Sequence, residues 1–299
     1  MKITNNLNLP QPFVSAVTSD YEYKDKQYSV TSLLGDSLRE TMLKRRYHHE
    51  IEQDVADMIW MIVGNGIHKV LEDAEEESHE LKEEYLNIEV GDDYKISGKA
   101  DLYNAKDKKV TDYKTCSVWK IVYGDYEDWR KQLLMYAWMF SQIGFDVRSG
   151  EIVAIMKDHS KSKAKFDKDY PQFPVQTITF NFNDDDFIEI ENYIKAKFEE
   201  IKKLEQVSDE ELPMCSLKDR FNNGDKYAVK KKANKTATKL HDTLEEAQSH
   251  LDNLENSYPN IYEIEIRPGE DKKCLEYCSV CEFCPYYKEK YKVSWVINR

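Results

Sequence analysis

The chain has 299 residues, 40% of them hydrophobic, and a formal net charge of −13. That length allows one large domain or two modest ones, and no apolar run approaches the ~20 residues a membrane-spanning helix requires. Six cysteines in such a chain speak against a disulfide framework and for thiol or metal chemistry, while the excess of acid opposes polyanion binding unless the charge is unevenly spread.

It is unevenly spread. The opening "MKITNNLNLPQPF" lacks the basic-then-apolar pattern of a signal peptide. It reads as an exposed lead-in, residues 1–27, to an intracellular, cytoplasmic protein. Residues 28–47 predict a helix entered at Thr31 or Ser32 and closed by a basic turn. A second helix is predicted over about 50–77, with Ile51, Val55, Met58, Ile59 and Ile62 at helical spacing. The acidic run "EDAEEESHELKEE" (72–84) reads as a solvated face. Strands are predicted at 85–90, 94–103 and 108–115, then a helix over about 125–143 stopped by Gly144. Two further strands, joined by a lysine-rich loop, lead into a long acidic helix at 184–207. Residues 216–268 suggest a small strand–strand–helix–strand unit, and residues 269–299 hold the cysteine-dense "CLEYCSVCEFC". The predicted class is mixed α/β: a central mixed sheet flanked by helices, an inserted small α+β unit, and a C-terminal cysteine-cluster segment.

Within this frame the hairpin "GKADLYNAKDKKVTDYKT" (98–115) places charge among core-forming strands. Residues two apart share a strand face, so Asp112 and Lys114 point the same way. A turn centred on Lys106 and Asp107 sets Asp101 directly opposite Asp112, and like charges facing each other across a ladder are destabilising. A cation between them removes the conflict. Two carboxylates on rigid strands with a lysine alongside suit Mg²⁺ or Mn²⁺, and such a site can activate water and stabilise phosphoryl charge. A solvent-facing hairpin with scattered charges is the plainer alternative. Upstream, "GNGIHKVLE" carries Gly64, small enough to let another element approach, and His68 one turn later, an imidazole suited to Mn²⁺ or Fe. Downstream, Gln132 and Tyr136 are i,i+4 neighbours on one helix.

The series "GxxxHxxLE", "GxxD", "DxK" and "QxxxY", spanning residues 64–136, resembles the RecB-like branch of the PD-(D/E)XK nucleases. "LKRRY" (43–47) and "DVADMIW" (54–60) also resemble phage-encoded members of that branch. The resemblance implies a restriction-endonuclease-like core over 28–215. It implies that His68, Asp101, Asp112 and the backbone carbonyl of Tyr113 bind Mg²⁺ or Mn²⁺, and that Asp101, Asp112 and Lys114 are catalytic, with Lys114 orienting the attacking water. Gln132 and Tyr136 would touch DNA or brace the site, and Glu89 is a weaker candidate.

Cys274, Cys278, Cys281 and Cys284 fall within one short segment, a metal-binding density in an intracellular chain. Relatives with an iron–sulfur cluster take one ligand from far upstream, often in the first helix, where this chain has Asp36. Cys215 can serve instead, giving Cys215, Cys274, Cys278 and Cys284; the competing set is Cys274 to Cys284 with Cys281 as alternate ligand. Such a metal would clamp the two ends of the inserted unit. Cys116 reads as packing. Thiolate ligation permits zinc or a [4Fe–4S] cluster, and the resemblance favours the cluster.

The implied function is a metal-dependent DNA exonuclease of phage or prokaryotic recombination, repair or processing, with a recombination, helicase or CRISPR partner. The lysines of "KYAVKKKANKTATK" (226–239), including Lys230, Lys231, Lys232 and Lys235, are candidate DNA contacts. A nuclease-fold scaffold that binds DNA or a partner through the inserted unit is the alternative. A zinc-stabilised regulatory protein would explain the cysteines but not the His–Asp–Asp–Lys order.

Overall fold

A computed structural model describes residues 1–18 and 21–292. In chain order the elements are β1 (Lys2–Thr4), α1 (Gln11–Val17), β2 (Gln27–Ser29), α2 (Arg39–Arg46), β3 (Glu52–Asp54), α3 (Ile59–Glu72), β4 (Glu80–Gly91), β5 (Tyr94–Asn104) and β6 (Lys109–Cys116). They continue as α4 (Val118–Tyr123), α5 (Glu127–Gln142), β7 (Ser149–Met156), α6 (Lys161–Phe166), β8 (Val175–Asn181) and α7 (Asp184–Leu204). The last are β9 (Lys226–Lys231), β10 (Lys239–His241), α8 (Leu244–Glu255), β11 (Tyr262–Arg267), α9 (Lys272–Glu276) and α10 (Pro285–Tyr287). Two compact units result: residues 1–35 with 45–208, and residues 36–44 with 209–299, of which residues up to 292 are described. Among the described residues no helix is long and apolar enough to cross a membrane.

The first unit is a mixed α/β layer built on a six-stranded sheet of order β2-β5-β6-β7-β8, with β4 along the other edge of β5. The β2–β5 and β6–β7 pairs are parallel and the others antiparallel. The parallel β6–β7 step needs a crossover, which α4 and α5 supply. From Leu133 to Phe140 every residue of α5 is buried. The helix lies so close to β7 that a Cβ at Gly150 would stand 3.0 Å from Leu133. On α7, Ile190, Ile194, Phe198 and Ile201 form the buried stripe, and Asn183 and Asp186 make a reciprocal capping box at its start.

The sheet's middle carries the irregularity that matters. β2 pairs with Lys95–Ser97 of β5, and β6 pairs with Leu102–Asn104 of the same strand. Residues 98–101 fall between these two ladders. On the opposite edge, Lys82 faces Leu102 and Glu84 faces Ala100. That register sets Glu83 across from Asp101, but Glu83 adopts a left-handed φ of 55° and leaves the ladder.

Three expected elements differ. Residues 28–47 are not one helix: Ser29 caps a single 3₁₀ turn at Val30–Leu33 by accepting the Ser32 N–H, and helix resumes only at Arg39. The helix expected from residue 50 starts at Ile59, after β3 and a 3₁₀ turn capped by Asp54. The opening residues, expected as an exposed lead-in, pair β1 with β3 and bury Val17 against Val55 and Met58.

The second unit contains a three-stranded antiparallel sheet of order β10-β9-β11, with α8 in the connection from β10 to β11. Its cysteine region is organised by Asp271, which has no solvent exposure. One carboxylate oxygen accepts from Arg220 (2.9 Å) and Asn222 (2.6 Å), the other from Tyr286 (2.6 Å), Lys290 (2.8 Å) and Tyr291 (2.8 Å). Burial alone would raise its pKa, but the donations from Lys290, Tyr286, Asn222 and Tyr291 hold the carboxyl well below the usual range.

Candidate active site

The interrupted ladders create the site. With neither neighbour paired at Asp101, its carboxylate bonds sideways: Oδ2 accepts the Tyr113 N–H at 2.7 Å, a donor the splaying β6 strand no longer offers to a β5 carbonyl. Oδ1 stands 3.2 Å from His68 Nδ1. His68 reaches it from α3, whose Gly64 faces β6: a Cβ there would meet Thr115 Oγ1 at 3.6 Å, an ordinary contact. The small residue therefore permits the approach without being strictly required by it. Ligand atoms of His68, Glu83 and Asp101 all lie within 4.8 Å of one another.

Asp112 lies deeper, only 3% exposed. Its Oδ1 accepts from Gln132 Nε2 at 3.2 Å. Its Oδ2 lies 2.7 Å from Lys114 Nζ, an ion pair outside hydrogen-bond geometry, so this buried oxygen has no hydrogen-bond donor. Burial raises the Asp112 pKa to about 6 against the pull of Lys114, and the Asp101 charge adds to the rise. The hydrogen bond to Asp101 raises the His68 pKa, while partial burial opposes it. Gln132 and Tyr136 are both buried, so Gln132 reaches Asp112 from inside the core rather than from solvent.

The structure thus brings His68, Asp101, Asp112, Tyr113, Lys114, Gln132 and Tyr136 into one neighbourhood. Glu89 stands elsewhere, paired with Lys95 across the β4–β5 ladder. Sequence reasoning missed Glu83, which sits inside the acidic run read as a solvated face. The available signal was its place across from Asp101 once β4 is extended back to Glu80.

In the second unit, Cys215, Cys274, Cys278, Cys281 and Cys284 line one cavity together with Arg39. Arg39 Nη1 lies 3.5 Å from Cys284 Sγ and donates to it. Burial pushes the Cys274 thiol up to about 11 and Cys278 up to about 12; Cys215 and Cys281 are raised for the same reason. Asp36 is not among the cavity residues; its carboxylate accepts from Ser216. Of the lysines singled out in the inserted unit, Lys230 is paired with Glu263 and Glu265 on β11, whereas Lys231, Lys232 and Lys235 are exposed.

Among solved structures the chain is similar to SSO0001 (19% identity over 67% of this chain and 87% of that one, TM-score 0.44). It is similar also to LHK-Exo in complex with dAMP (12% identity, 60% and 89%, TM-score 0.38). A third likeness is to a phage-related exonuclease from Haemophilus somnus 129PT (12% identity, 56% and 74%, TM-score 0.27). No protein-family description and no curated protein matches it.

Proposed function

We propose that the chain is a metal-dependent deoxyribonuclease, an exonuclease of the RecB-like, PD-(D/E)XK type that hydrolyses phosphodiester bonds. The observation that carries this reading is the convergence of His68, Glu83 and Asp101 beside an Asp112–Lys114 pair whose buried carboxylate oxygen lacks a hydrogen-bond donor. Hard carboxylate oxygens with one imidazole suit Mg²⁺ or, better, Mn²⁺. His68, Glu83, Asp101, Asp112 and the Tyr113 carbonyl would hold the ion. When bound, it supplies an activated water and neutralises charge on the phosphoryl oxygens.

The chain's own residues do the rest. The Tyr113 N–H fixes Asp101 through Oδ2 and leaves Oδ1 turned to the site. Gln132 fixes Asp112 through Oδ1. The Lys114 ammonium, tethered at Asp112, orients the attacking water and faces the negative charge that develops on phosphorus-bound oxygen. Holding these groups before substrate arrives is the source of rate.

In the second unit the five thiols around one cavity support a [4Fe–4S] cluster, with Zn²⁺ the alternative, on Cys215, Cys274, Cys278 and Cys284, Cys281 being the alternate ligand. The role of the cluster is structural, because binding energy of this kind adds directly to folding.

The test is digestion of end-labelled linear DNA, single- and double-stranded, by anaerobically purified protein with Mn²⁺ or with EDTA. Mn²⁺-dependent shortening from an end, absent in Lys114→Ala, is the expected result. A folded, metal-loaded sample that cuts neither substrate overturns the proposal in favour of a non-catalytic scaffold.

A further inference from the structure

On α3, Trp60, Gly64 and His68 are spaced by four and share one helix face. Eight residues at 1.5 Å each put Trp60 about 12 Å along the axis from His68, with Gly64 facing Thr115 of β6 between them. Trp60 is 59% exposed, an unusual position for the largest apolar side chain. Lys157 Nζ sits 4.0 Å above its ring.

The far end of β6 leads to the same place. Two residues beyond Lys114, the Cys116 carbonyl accepts the Lys157 N–H at 3.0 Å. Asp158 accepts from Ser117 Oγ and the Val118 N–H, tying the lysine-rich loop to the start of α4. On α4, Trp119 and Tyr123 stack with ring centroids 5.9 Å apart, and both are exposed. Lys163 Nζ lies 4.6 Å above the Trp119 ring. Phe166, at the end of α6, is 89% exposed. Exposed rings interleaved with lysines therefore continue outward from the strand that carries Asp112 and Lys114, in a chain whose net charge is −13.

An apolar partner alone would not call for lysines over the rings, and duplex DNA, with its bases already stacked, offers no free base faces to them. Unpaired bases offer faces to stack on and phosphates for the lysines, which is the recognition mode of single-strand binders. We infer that Trp60, Trp119 and Tyr123, with Lys157 and Lys163, form a stacking platform that receives unpaired nucleotides of a DNA strand leading to the Lys114 site. This deepens the nuclease reading by naming its substrate as a single strand, and it rests on that reading for the strand's destination. The ~12 Å from His68 to Trp60 accommodates about three nucleotides at the ~3.4 Å stacked rise.

The experiment is equilibrium binding of a fluorescein-labelled oligo-dT to the full chain in EDTA, where no cutting occurs, with a blunt duplex in parallel. The platform predicts tighter binding of the single strand. It predicts Kd raised roughly 5- to 100-fold by Trp60→Ala or Trp119→Ala, the range that base–aromatic stacking spans. Trp60→Phe and Trp119→Phe should restore most of the affinity while melting temperatures of all variants stay together, a pattern that a purely structural role for the rings would not give. Unchanged affinity in both alanine variants, or no preference for single strands, overturns the platform. If Mn²⁺-dependent cutting persists with either of those results, the platform fails and the nuclease reading stands. Ring-dependent binding without any cutting leaves the platform and removes the nuclease.

Discussion

A Cβ at Gly98 would stand 2.6 Å from Cε1 of Tyr136, so the strand that bears Asp101 and the helix that braces Asp112 meet ring against backbone. The glycine of the "GxxD" pattern is thereby a packing requirement of the "QxxxY" pattern. Tyr136 cannot retreat, since it is buried in a helix whose neighbouring residues Leu133 to Phe140 are all buried. Gly98→Ala is expected to cost about 1–3 kcal/mol by overpacking. A displacement on the order of 1 Å at Asp112 would lower cleavage roughly 10²-fold. Thermal melts beside cleavage rates check both, and an alanine variant with wild-type rate would show that Gln132 and Tyr136 do not position Asp112.

Lys114→Ala and Asp112→Ala are expected to abolish cleavage while leaving the fold intact. Lys114 lies at the edge of the sheet's core, with a side chain 24% exposed, so its loss removes little packing. Circular dichroism and melting curves should overlay those of the wild type for Lys114→Ala. Cutting retained in either variant would move the chemistry elsewhere.

Replacing the cysteines separates the ligand sets. Cys278→Ala and Cys284→Ala are expected to lose bound metal and stability, and Cys215→Ala to do the same, whereas Cys281→Ala does less. Iron, sulfide and zinc content per chain reads the outcome directly. Equal loss from Cys281→Ala with none from Cys215→Ala would favour the local four-cysteine set.

Asp271 supplies a pH prediction for the second unit. Its folded pKa is depressed, so its contribution is fully present above the unfolded value of ~3.9 and is lost as pH falls below it toward the folded one. Melting of this unit should therefore drop steeply below about pH 4. Asp271→Asn at neutral pH leaves Arg220 buried without its anion and is expected to cost about 3–5 kcal/mol. A variant that melts with the wild type at pH 7 would contradict the clamp.

The hairpin was legible because strand alternation and turn position are local: Leu102 does face Thr111, which sets Asp101 beside Asp112 as the turn at Lys106 and Asp107 requires. The helices α5, α7 and α8 were legible from periodicity and stops, Gly144 among them. Glu83 was not, because its place beside Asp101 depends on a ladder interrupted at one left-handed residue inside a run of acids. Nor was Asp271, whose partners Arg220 and Asn222 lie across the whole inserted unit. A metal was expected to join that unit's ends; the link the structure describes there is the buried Asp271 carboxylate. The early helices are shorter than apolar spacing predicts because Ser29 and Asp54 side chains satisfy backbone N–H groups in short 3₁₀ turns, a competition that such spacing does not reveal.

The most direct test of the central claim is calorimetric titration of Mn²⁺ into metal-stripped protein, comparing wild type with Asp101→Asn, Glu83→Gln and Lys114→Ala. Saturable binding is expected in the wild type, with weakening in Asp101→Asn and Glu83→Gln by at least the roughly 10- to 100-fold that losing even an outer partner of a metal site costs. Lys114→Ala, which removes a cation from the site, should bind at least as tightly as the wild type while remaining inactive. Wild-type protein that takes up no Mn²⁺, or binding untouched by both carboxylate substitutions, would contradict it.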